Sequence, residues 1–473
     1  MRNKTERASF RSLPILLLLL ALFAIYNINF RLVRIDDSVP ARLLPFSLLM
    51  NHSLYLDHWV EPYMPSARGP QGVYFVVKSR GHWLSFYPVI TPLIVTPLYI
   101  PAAIWLSRLP APLRDNPAIR VSVIDWMEKL SASVLAVLSA LLLYLAVSKV
   151  ASAQTSLILT LAYGIASPTW VISSQALWKQ DVAELSFAFL LWALVRDPTS
   201  RSYPVYVGVA LAVAAANTPP DGLMILPFLV FFARQSVGKL IRFLAPLAAL
   251  GIPVVIYNFH FFGSPVPFYS SSALAPPQAA GFFTRTTFPG AIAGLLASPG
   301  RGLFIYAPWT VFAIWGAVRV WRCQKFGWGR YLIAGVVLTF LGYANFSTWW
   351  AGWCFGPRYL TNFMPFFAFF LVPVWPRIEK QTLLRTAFVL AFLAAVWIEV
   401  VGAFCYPSGH WDSVPVSVDR APGRLWDWRD NPISRNWDAG PAPPLLYDDL
   451  KLLSHVPALE RQIQQASAAK RRN

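Results

Sequence analysis

The sequence contains few charged residues and few of the residues that bind metals. Only 13% of its 473 residues are Asp, Glu, Lys or Arg, against roughly 25% in a soluble domain. Three cysteines and six histidines are too few and too scattered for a disulfide scaffold or a zinc site. Because 56% of the residues are hydrophobic, this composition excludes an ordinary soluble domain and favours a membrane protein.

Acidic residues are scarcer than basic ones. The chain has 22 Asp and Glu against 40 Lys and Arg, a formal net charge of +18. Such a balance often indicates nucleic-acid binding, but the low charge density argues against it here, and we expect no nucleic-acid partner. In membrane proteins the basic residues collect in cytoplasmic loops.

The motifs of nucleotide-dependent enzymes are also missing. The chain has no phosphate-binding Gly-Lys loop, no dinucleotide Gly fingerprint, no Gly-x-Ser-x-Gly and no His-Glu-x-x-His. It has no Asp-x-Asp, the usual metal clamp of nucleotide-sugar enzymes. We therefore expect no cofactor. Carboxylates are able to hold a divalent metal, but no spacing indicates a metal site.

The apolar runs predict an all-α polytopic membrane protein with about eleven transmembrane helices. A basic N-terminus precedes the first run, residues 13–30, which we interpret as an uncleaved span; a cleaved signal peptide is the alternative. The other runs are 130–148, 153–174, 182–195, 203–217, 222–233, 240–258, 303–318, 331–348, 359–376 and 386–404. The short runs 203–217 and 222–233 predict half-spans hinged at residues 217–221.

One further apolar run, 88–107, contains four prolines, each of which removes a helix donor or kinks the axis. If this run does not cross the bilayer, the short Lys/Arg-rich loops all fall on the N-terminal side, as the positive-inside rule requires. We therefore interpret it as a re-entrant or juxtamembrane element, with the N-terminus inside and the C-terminus outside.

This topology predicts two regions. Residues 1–404 form the transmembrane domain, and residues 31–128 are its first outer loop, with the candidate catalytic acid and the juxtamembrane helices. Residues 405–473 form a small extracytoplasmic C-terminal region. A second outer loop covers 259–301.

Polar and aromatic side chains gather at the predicted outer ends of the spans. Ionisable groups in apolar segments are costly and are usually functional. A carboxylate at the surface can deprotonate a hydroxyl, an arginine can hold a phosphate in two hydrogen bonds, and aromatic faces stack on sugars and isoprenoid chains. The candidates are Asp36, Asp37, Tyr87, Trp178, Lys179, Asp181, Trp350, Trp353, Arg358, Tyr359 and Glu399. Solvated caps, interfacial anchors or packing are the structural alternatives.

Several short motifs resemble a known family. They are Asp36-Asp37-Ser38-Val39-Pro40-Ala41-Arg42, Ser85-Phe86-Tyr87-Pro88, Ala176-Leu177-Trp178-Lys179-Gln180, Ser298-Pro299-Gly300-Arg301-Gly302 and Phe355-Gly356-Pro357-Arg358-Tyr359-Leu360. Together they resemble the GT-C superfamily of integral membrane glycosyltransferases. The branch they resemble contains protein O-mannosyltransferases and the aminoarabinose transferase (glycosyltransferase family 39-like).

The resemblance implies a polyprenyl-phosphate-linked sugar as donor and inversion at the anomeric carbon. It also implies a catalytic acid in the first outer loop, which maps to Asp37 or Asp36. With the residues above, it predicts an enzyme of the plasma (inner) membrane whose active site lies on the extracytoplasmic face. Asp37 is then the general base and Arg358, with Lys179, binds the donor phosphate. The acceptor is a glycan, a lipid or a protein, and membrane lipid surrounds the enzyme.

Two other functions stay open from the sequence. A transporter or flippase of lipid-linked saccharides shares the same features, although the internal repeat typical of many transporters is not evident. A non-catalytic scaffold is the third possibility, and it predicts that the outer acids tolerate substitution.

Overall fold

The computed structural model describes residues 4–61, 75–265 and 288–470 and is mostly helical, as predicted. Residues 62–74 of the first outer loop and 266–287 of the predicted loop 259–301 lie outside the described residues.

The N-terminal half contains eleven helices and one hairpin within those ranges. In chain order they are α1 Lys4–Asn27, α2 Val39–Asn51, α3 Asp57–Val60, β1 Val76–Ser79, β2 His82–Ser85, α4 Ile90–Arg108, α5 Ala111–Arg114, α6 Pro117–Val147, α7 Ala153–Ile165, α8 Lys179–Leu194, α9 Tyr203–Asn217, α10 Ile225–Ala233 and α11 Val237–Phe262.

The described C-terminal half is helical as well. It consists of α12 Phe288–Ala297, α13 Leu303–Tyr306, α14 Thr310–Arg322, α15 Gly329–Ala344, α16 Arg358–Thr361, α17 Met364–Phe370, α18 Trp375–Lys380, α19 Thr382–Cys405, α20 Pro432–Ala439 and α21 Leu445–Lys470.

Four of the described helices, α4, α6, α11 and α19, are long and apolar enough to cross a membrane. Six shorter apolar stretches of helix accompany them. The predicted total of about eleven crossings and the N-in/C-out orientation stay predictions.

Three of the predicted spans are interrupted rather than continuous. Run 153–174 divides into α7 and a π-helical turn at Thr169–Ser173, run 303–318 divides into α13 and α14, and run 359–376 divides into α16 and α17. Pro168 and Pro308 lie at the first two breaks, and Pro365 lies in the first turn of α17, just after the third. Proline has no backbone N–H to donate, so each break leaves helix ends inside the protein.

The proline-rich run is a single helix rather than a broken element. Helix α4 continues through Pro97 and Pro101, and it packs beside α2 with further contacts to α6 and α9. Its length and apolar character are sufficient for a membrane span, so its assignment to the outer face stays a prediction.

The hinge predicted at residues 217–221 is present. Helix α9 ends at Asn217, a 3-10 segment covers Pro219–Met224, and α10 follows directly. The two prolines at the start of the segment cannot donate backbone hydrogen bonds, which separates the two short helices.

A β-hairpin introduces α4. Strands β1 and β2 pair antiparallel, with Val76 opposite Ser85. The turn residues Arg80 and Gly81 have positive φ angles of 51° and 87°, as a two-residue hairpin turn requires. The hairpin brings the chain back to the start of α2, and Tyr87 follows it.

The segment after α15 lies in the middle of the protein. Every residue from Phe355 to Leu371 is buried, and the rings of Phe363 and Phe366 pack against Phe187 of α8. Such close packing fixes the short helices α16 and α17 in place, so the polar side chains they carry are held rigidly.

The C-terminal region packs on the helical domain. Ser122 of α6 donates a hydrogen bond to Asp449 of α21 at 2.6 Å, and the ring of Trp437 on α20 lies 5.5 Å from that of Trp397 on α19. The region therefore follows the course of α19 and α6 instead of standing away from them.

Labelling of intact cells tests the predicted orientation. Lys380→Cys lies at the last residue of α18 on the predicted inner side, and Arg429→Cys lies in the C-terminal region on the predicted outer side; both positions are exposed. A membrane-impermeant maleimide is expected to label Arg429→Cys and to leave Lys380→Cys unlabelled until the cells are opened. Cys354 and Cys405 are buried but Cys323 is partly exposed, so both substitutions are made in a Cys323→Ser chain, and that chain alone is the control. The reverse labelling pattern would show that the predicted orientation is wrong.

Candidate active site

The structure brings the first-loop acid and the late arginine into direct contact. Nη1 of Arg358 donates a hydrogen bond to Oδ2 of Asp37 at 2.7 Å, although 321 residues separate them in sequence. The two side chains are only 9% and 20% exposed. An ion pair so poorly solvated holds the two segments together and is costly to break from one side.

Each partner of the pair is placed by a tight backbone feature. Asp37 lies in the 3-10 turn Asp36–Ser38 that precedes α2. Arg358 begins α16 just after Gly356, whose φ is +85°. A Cβ on Gly356 would come within 2.8 Å of the Tyr306 ring, so only glycine fits this approach to Arg358 without displacing the ring.

Tyr87 completes the surroundings of the acid. Its hydroxyl donates to Oδ1 of Asp37 at 2.6 Å. The Ser85 side chain stabilises the turn between β2 and Tyr87. It donates to the Tyr87 carbonyl at 2.8 Å and accepts from the Tyr87 backbone N–H at 3.1 Å. Both carboxylate oxygens of Asp37 are therefore fixed by partners from distant parts of the chain.

The two neighbouring acids differ electrostatically. Burial alone would raise the pKa of Asp37, but the charge of Arg358, the hydrogen bonds from Tyr87 and Arg358 and the charge of Lys179 outweigh it, so the pKa lies below its ordinary value. Burial, together with the charge of Asp37, raises the pKa of Asp36. A pair whose pKa values are pushed apart is typical of acid–base sites.

The guanidinium of Arg358 has an aromatic face and an unused donor. Its central carbon lies 4.3 Å from the ring centroid of Trp178 and 5.9 Å from that of Tyr359. Its Nε is buried and has no hydrogen-bond partner within the described chain. A buried donor without a partner is unusual and suits an anionic ligand.

Lys179 supplies a second positive charge. It is the first residue of α8, directly after Trp178, and its ammonium interacts electrostatically with Arg358, Asp37 and Asp221. Two cations beside one carboxylate are an arrangement that can accept a further anion.

Asp181 and Glu399 belong to a different group of buried acids. Asp181 interacts electrostatically with Glu184 and Glu128, and Glu399 on α19 interacts with Glu184. Glu184 accepts hydrogen bonds from Tyr163 and Thr169 at 2.8 and 2.9 Å. Asp181 lies on α8 and Glu399 on α19, whereas the side chains that hydrogen-bond Asp37 are those of Arg358 and Tyr87.

The two loop tryptophans face the C-terminal region. Nε1 of Trp350 donates to Asp419 at 2.8 Å. Nε1 of Trp353 lies 3.4 Å from the Ser417 hydroxyl, and its ring is half exposed. They connect the loop before Arg358 to the C-terminal region.

Sequence reasoning missed a second buried ion cluster. Arg42 on α2 donates to Glu128 at 2.7 Å and lies 3.4 Å from Asp125, both on α6. Arg34 also pairs with Asp125, at 2.6 Å. The signal was available in the spacing Asp125-x-x-Glu128, which places two acids on one helix face. It was missed because the apolar run was taken to begin at residue 130, whereas α6 begins at Pro117.

A further buried pair was also missed. Arg301, only 1% exposed, donates to Asp412 at 2.7 Å and to the backbone carbonyls of Trp350 and Gly352 at 3.0 and 2.9 Å. It fixes the loop that leads to Arg358 against the C-terminal region. The motif around Arg301 was noticed in the sequence, but its partner lies 111 residues away and no periodicity connects them.

Within the described ranges no three His, Cys, Asp or Glu side chains are grouped as metal ligands. The adjacent Asp36 and Asp37 do not share a partner, since Asp37 is held by Arg358 and Tyr87.

A cavity of about 520 Å³ lies apart from this site. It is formed by the C-terminal ends of α2 and α4 and the start of α6, with Met50, Trp59, Ile104, Arg114 and Arg120 among its walls. None of the predicted site residues lines it, and Asp37 and Tyr87 lie at the opposite ends of α2 and α4.

No protein-family model matches the chain, and no curated protein matches it. Two solved structures align with it, each at 12% identity and a TM-score of 0.47. One is ArnT from Cupriavidus metallidurans bound to undecaprenyl phosphate, with 99% of this chain and 80% of that chain covered. The other is the Archaeoglobus fulgidus oligosaccharyltransferase tethered to an acceptor peptide, with 91% and 60% covered. Both neighbours are GT-C glycosyltransferases. At this low identity and TM-score, the alignments assign no activity to the chain.

Arg358→Met tests the ion pair. It leaves Asp37 poorly solvated without its cation, so we expect the free energy of unfolding to fall by about 3 kcal/mol. Arg358→Met/Asp37→Asn, which leaves no unpaired charge, is expected to recover most of that loss. Thermal unfolding of the purified protein in detergent measures both.

The pH dependence of the folding stability provides a control for the ion-pair prediction. Because the pKa of Asp37 is lowered in the folded state, its stabilising contribution is complete above the ordinary Asp pKa of about 4 and is lost as the pH falls through the lowered value. Asp37→Asn should remove this part of the acid sensitivity. Equal stability of wild type and Arg358→Met from pH 4 to 8 would contradict the assignment.

Proposed function

We propose that the chain is a glycosyltransferase that moves a sugar from a polyprenyl-phosphate donor to an acceptor hydroxyl on the extracytoplasmic face of the plasma membrane. The observation that carries the proposal is the Asp37–Arg358 contact, with Tyr87 on one side and Trp178 and Lys179 on the other. A base and a phosphate-binding cation at hydrogen-bond distance are the groups that this transfer needs.

The proposed reaction is a direct displacement. Asp37 takes the proton of the acceptor hydroxyl, and the oxygen attacks the anomeric carbon. The bond between that carbon and the phosphate oxygen breaks, its electron pair stays on the phosphate, and the configuration inverts. Arg358 and Lys179 bind the phosphate and neutralise the charge that develops as it leaves.

Donor binding changes the partner of Arg358 in this proposal. Without donor, the guanidinium is paired with Asp37, which makes the carboxylate a weak base. The donor phosphodiester, which carries one negative charge and gains a second as the sugar leaves, competes for the guanidinium and uses its unpartnered Nε. As Arg358 turns to the phosphate, the pKa of Asp37 rises and the carboxylate becomes a better base, since general-base strength follows pKa.

Asp36 is the second candidate for the base. Its pKa is raised, and its carboxylate lies outside the Arg358 pair. Two acids therefore lie within one turn of each other, and the hydrogen bond between Asp37 and Arg358, the proposed phosphate ligand, supports Asp37 as the base.

The aromatic residues are proposed as substrate contacts. Tyr87, Trp178 and Tyr359 surround the ion pair and offer faces for the sugar or the first isoprene units. Trp350 and Trp353 lie at the C-terminal region and are proposed to contact the acceptor. Asp181 on α8 and Glu399 on α19 are proposed to act on the site through the electric field of the buried acids. The proposal invokes no cofactor.

Substitution of each acid tests the base. We expect Asp37→Asn to lower sugar transfer from polyprenyl phosphate by about 10²- to 10⁴-fold, the usual contribution of a general base, and Asp36→Asn to lower it less. Radiolabelled donor in membranes measures transfer. Asp115→Asn, an exposed acid of the same loop, is the control and should keep the wild-type rate. Wild-type transfer by both Asp36→Asn and Asp37→Asn would make the base assignment wrong.

The same assay separates the transporter alternative. A transferase attaches the labelled sugar covalently to a new acceptor, whereas a flippase only changes its leaflet. Label that moves across proteoliposomes without a new covalent product would replace the proposal.

A further inference from the structure

Asp221 lies at the centre of a polar network that the proposed reaction does not use. It is fully buried, in the 3-10 segment between α9 and α10. Its Oδ1 accepts from the Tyr343 hydroxyl at 2.9 Å, and its Oδ2 accepts from Asn362 at 2.8 Å. A buried carboxylate is costly unless its partners are placed to satisfy it, so this arrangement requires a reason.

Both partners lead to Arg358. Asn362 follows Arg358 by one helical turn, immediately after α16. The ring of Tyr343 stacks on the ring of Tyr359, with centroids 4.7 Å apart and planes 16° apart. Asp221 therefore holds the short segment 358–362 from two directions, through its backbone turn and through the aromatic ring next to Arg358.

The same hinge reaches Lys179. The Lys179 ammonium interacts electrostatically with Asp221 as well as with Asp37 and Arg358. Asn217, the last residue of α9, donates to the Lys179 backbone carbonyl at 2.6 Å and accepts from Thr91 at 2.7 Å. Thr91 lies in the first turn of α4, four residues after Tyr87.

These contacts close a ring around the candidate site. Tyr87 hydrogen-bonds Asp37, Asp37 hydrogen-bonds Arg358, and Asn362 of the Arg358 segment hydrogen-bonds Asp221, which interacts electrostatically with Lys179. The ring joins the ends of α4, α8, α9 and α16 at one place. It contains two cations and two carboxylates, of which only Asp37 touches Arg358 directly.

We propose that Asp221 is a positioning residue that sets Lys179 and Arg358 in the geometry that binds the donor phosphate. This inference rests on the proposed function, because it concerns the same phosphate. Asp221 touches neither the donor nor the reacting atoms. It acts through the charge of Lys179 and through the Asn362 and Tyr343 hydrogen bonds, so that the two cations converge on one anion instead of turning apart.

Binding of undecaprenyl phosphate to the purified full chain in nanodiscs tests the inference. We expect Asp221→Asn to weaken binding by about tenfold, the usual effect of removing one charged hydrogen-bond partner. Asp449→Asn, a partly buried acid on α21, should bind as wild type does. Unchanged binding by a folded Asp221→Asn would overturn the inference.

A double-substitution cycle separates positioning from a general structural defect. If Asp221 acts through Lys179, then Asp221→Asn should weaken binding by much less in a Lys179→Met background than in wild type. Equal fold-losses in both backgrounds would show that Asp221 does not act through Lys179 and would overturn the inference.

Tyr343→Phe provides a milder variant, which keeps the ring stacked on Tyr359 and removes only the hydroxyl that donates to Asp221 and accepts from Asn362. We expect it to weaken binding by about threefold, and wild-type affinity would contradict the inference even if Asp221→Asn fails to fold. The proposed function fails separately: in that case wild type itself does not bind undecaprenyl phosphate.

Discussion

A poorly solvated ion pair joins two distant parts of this chain, and the candidate site is organised around it. Asp37 lies before α2 and Arg358 begins α16. Their contact at 2.7 Å fixes the first loop against the most deeply packed segment of the protein. Removing one partner leaves the other as an unpaired charge, so the pair stabilises the contact between these two segments. It also places an arginine where it can bind an anion.

The site lies where helices end rather than along their sides. Helix ends leave backbone groups without partners, and in an apolar protein each of these ends must be satisfied by side chains. One place in the protein brings together the first turn of α4, the start of α8, the hinge between α9 and α10, and α16. Hydrogen bonds of Thr91, Asn217 and Asn362 join these segments. Interrupted helices are thus the structural means by which polar groups reach this depth.

The sequence was informative where one local pattern decides the outcome. Apolar runs and prolines predicted a helical membrane protein and the hinge at residues 217–221. The predicted outer ends of the spans, together with the family resemblance, indicated Asp37 and Arg358. It was uninformative where the outcome depends on pairing across the chain. Asp221 belongs to the predicted hinge, but the sequence does not show that it contacts Asn362, whereas the charged neighbours of Asp181 are other acids.

A structure of the protein with undecaprenyl phosphate bound tests the central claim most directly. The account predicts the phosphate at hydrogen-bond distance from Arg358, between that residue and Lys179, and an Asp37–Arg358 contact lengthened beyond its present 2.7 Å. A phosphate bound elsewhere, with the ion pair and its length unchanged, would contradict the account.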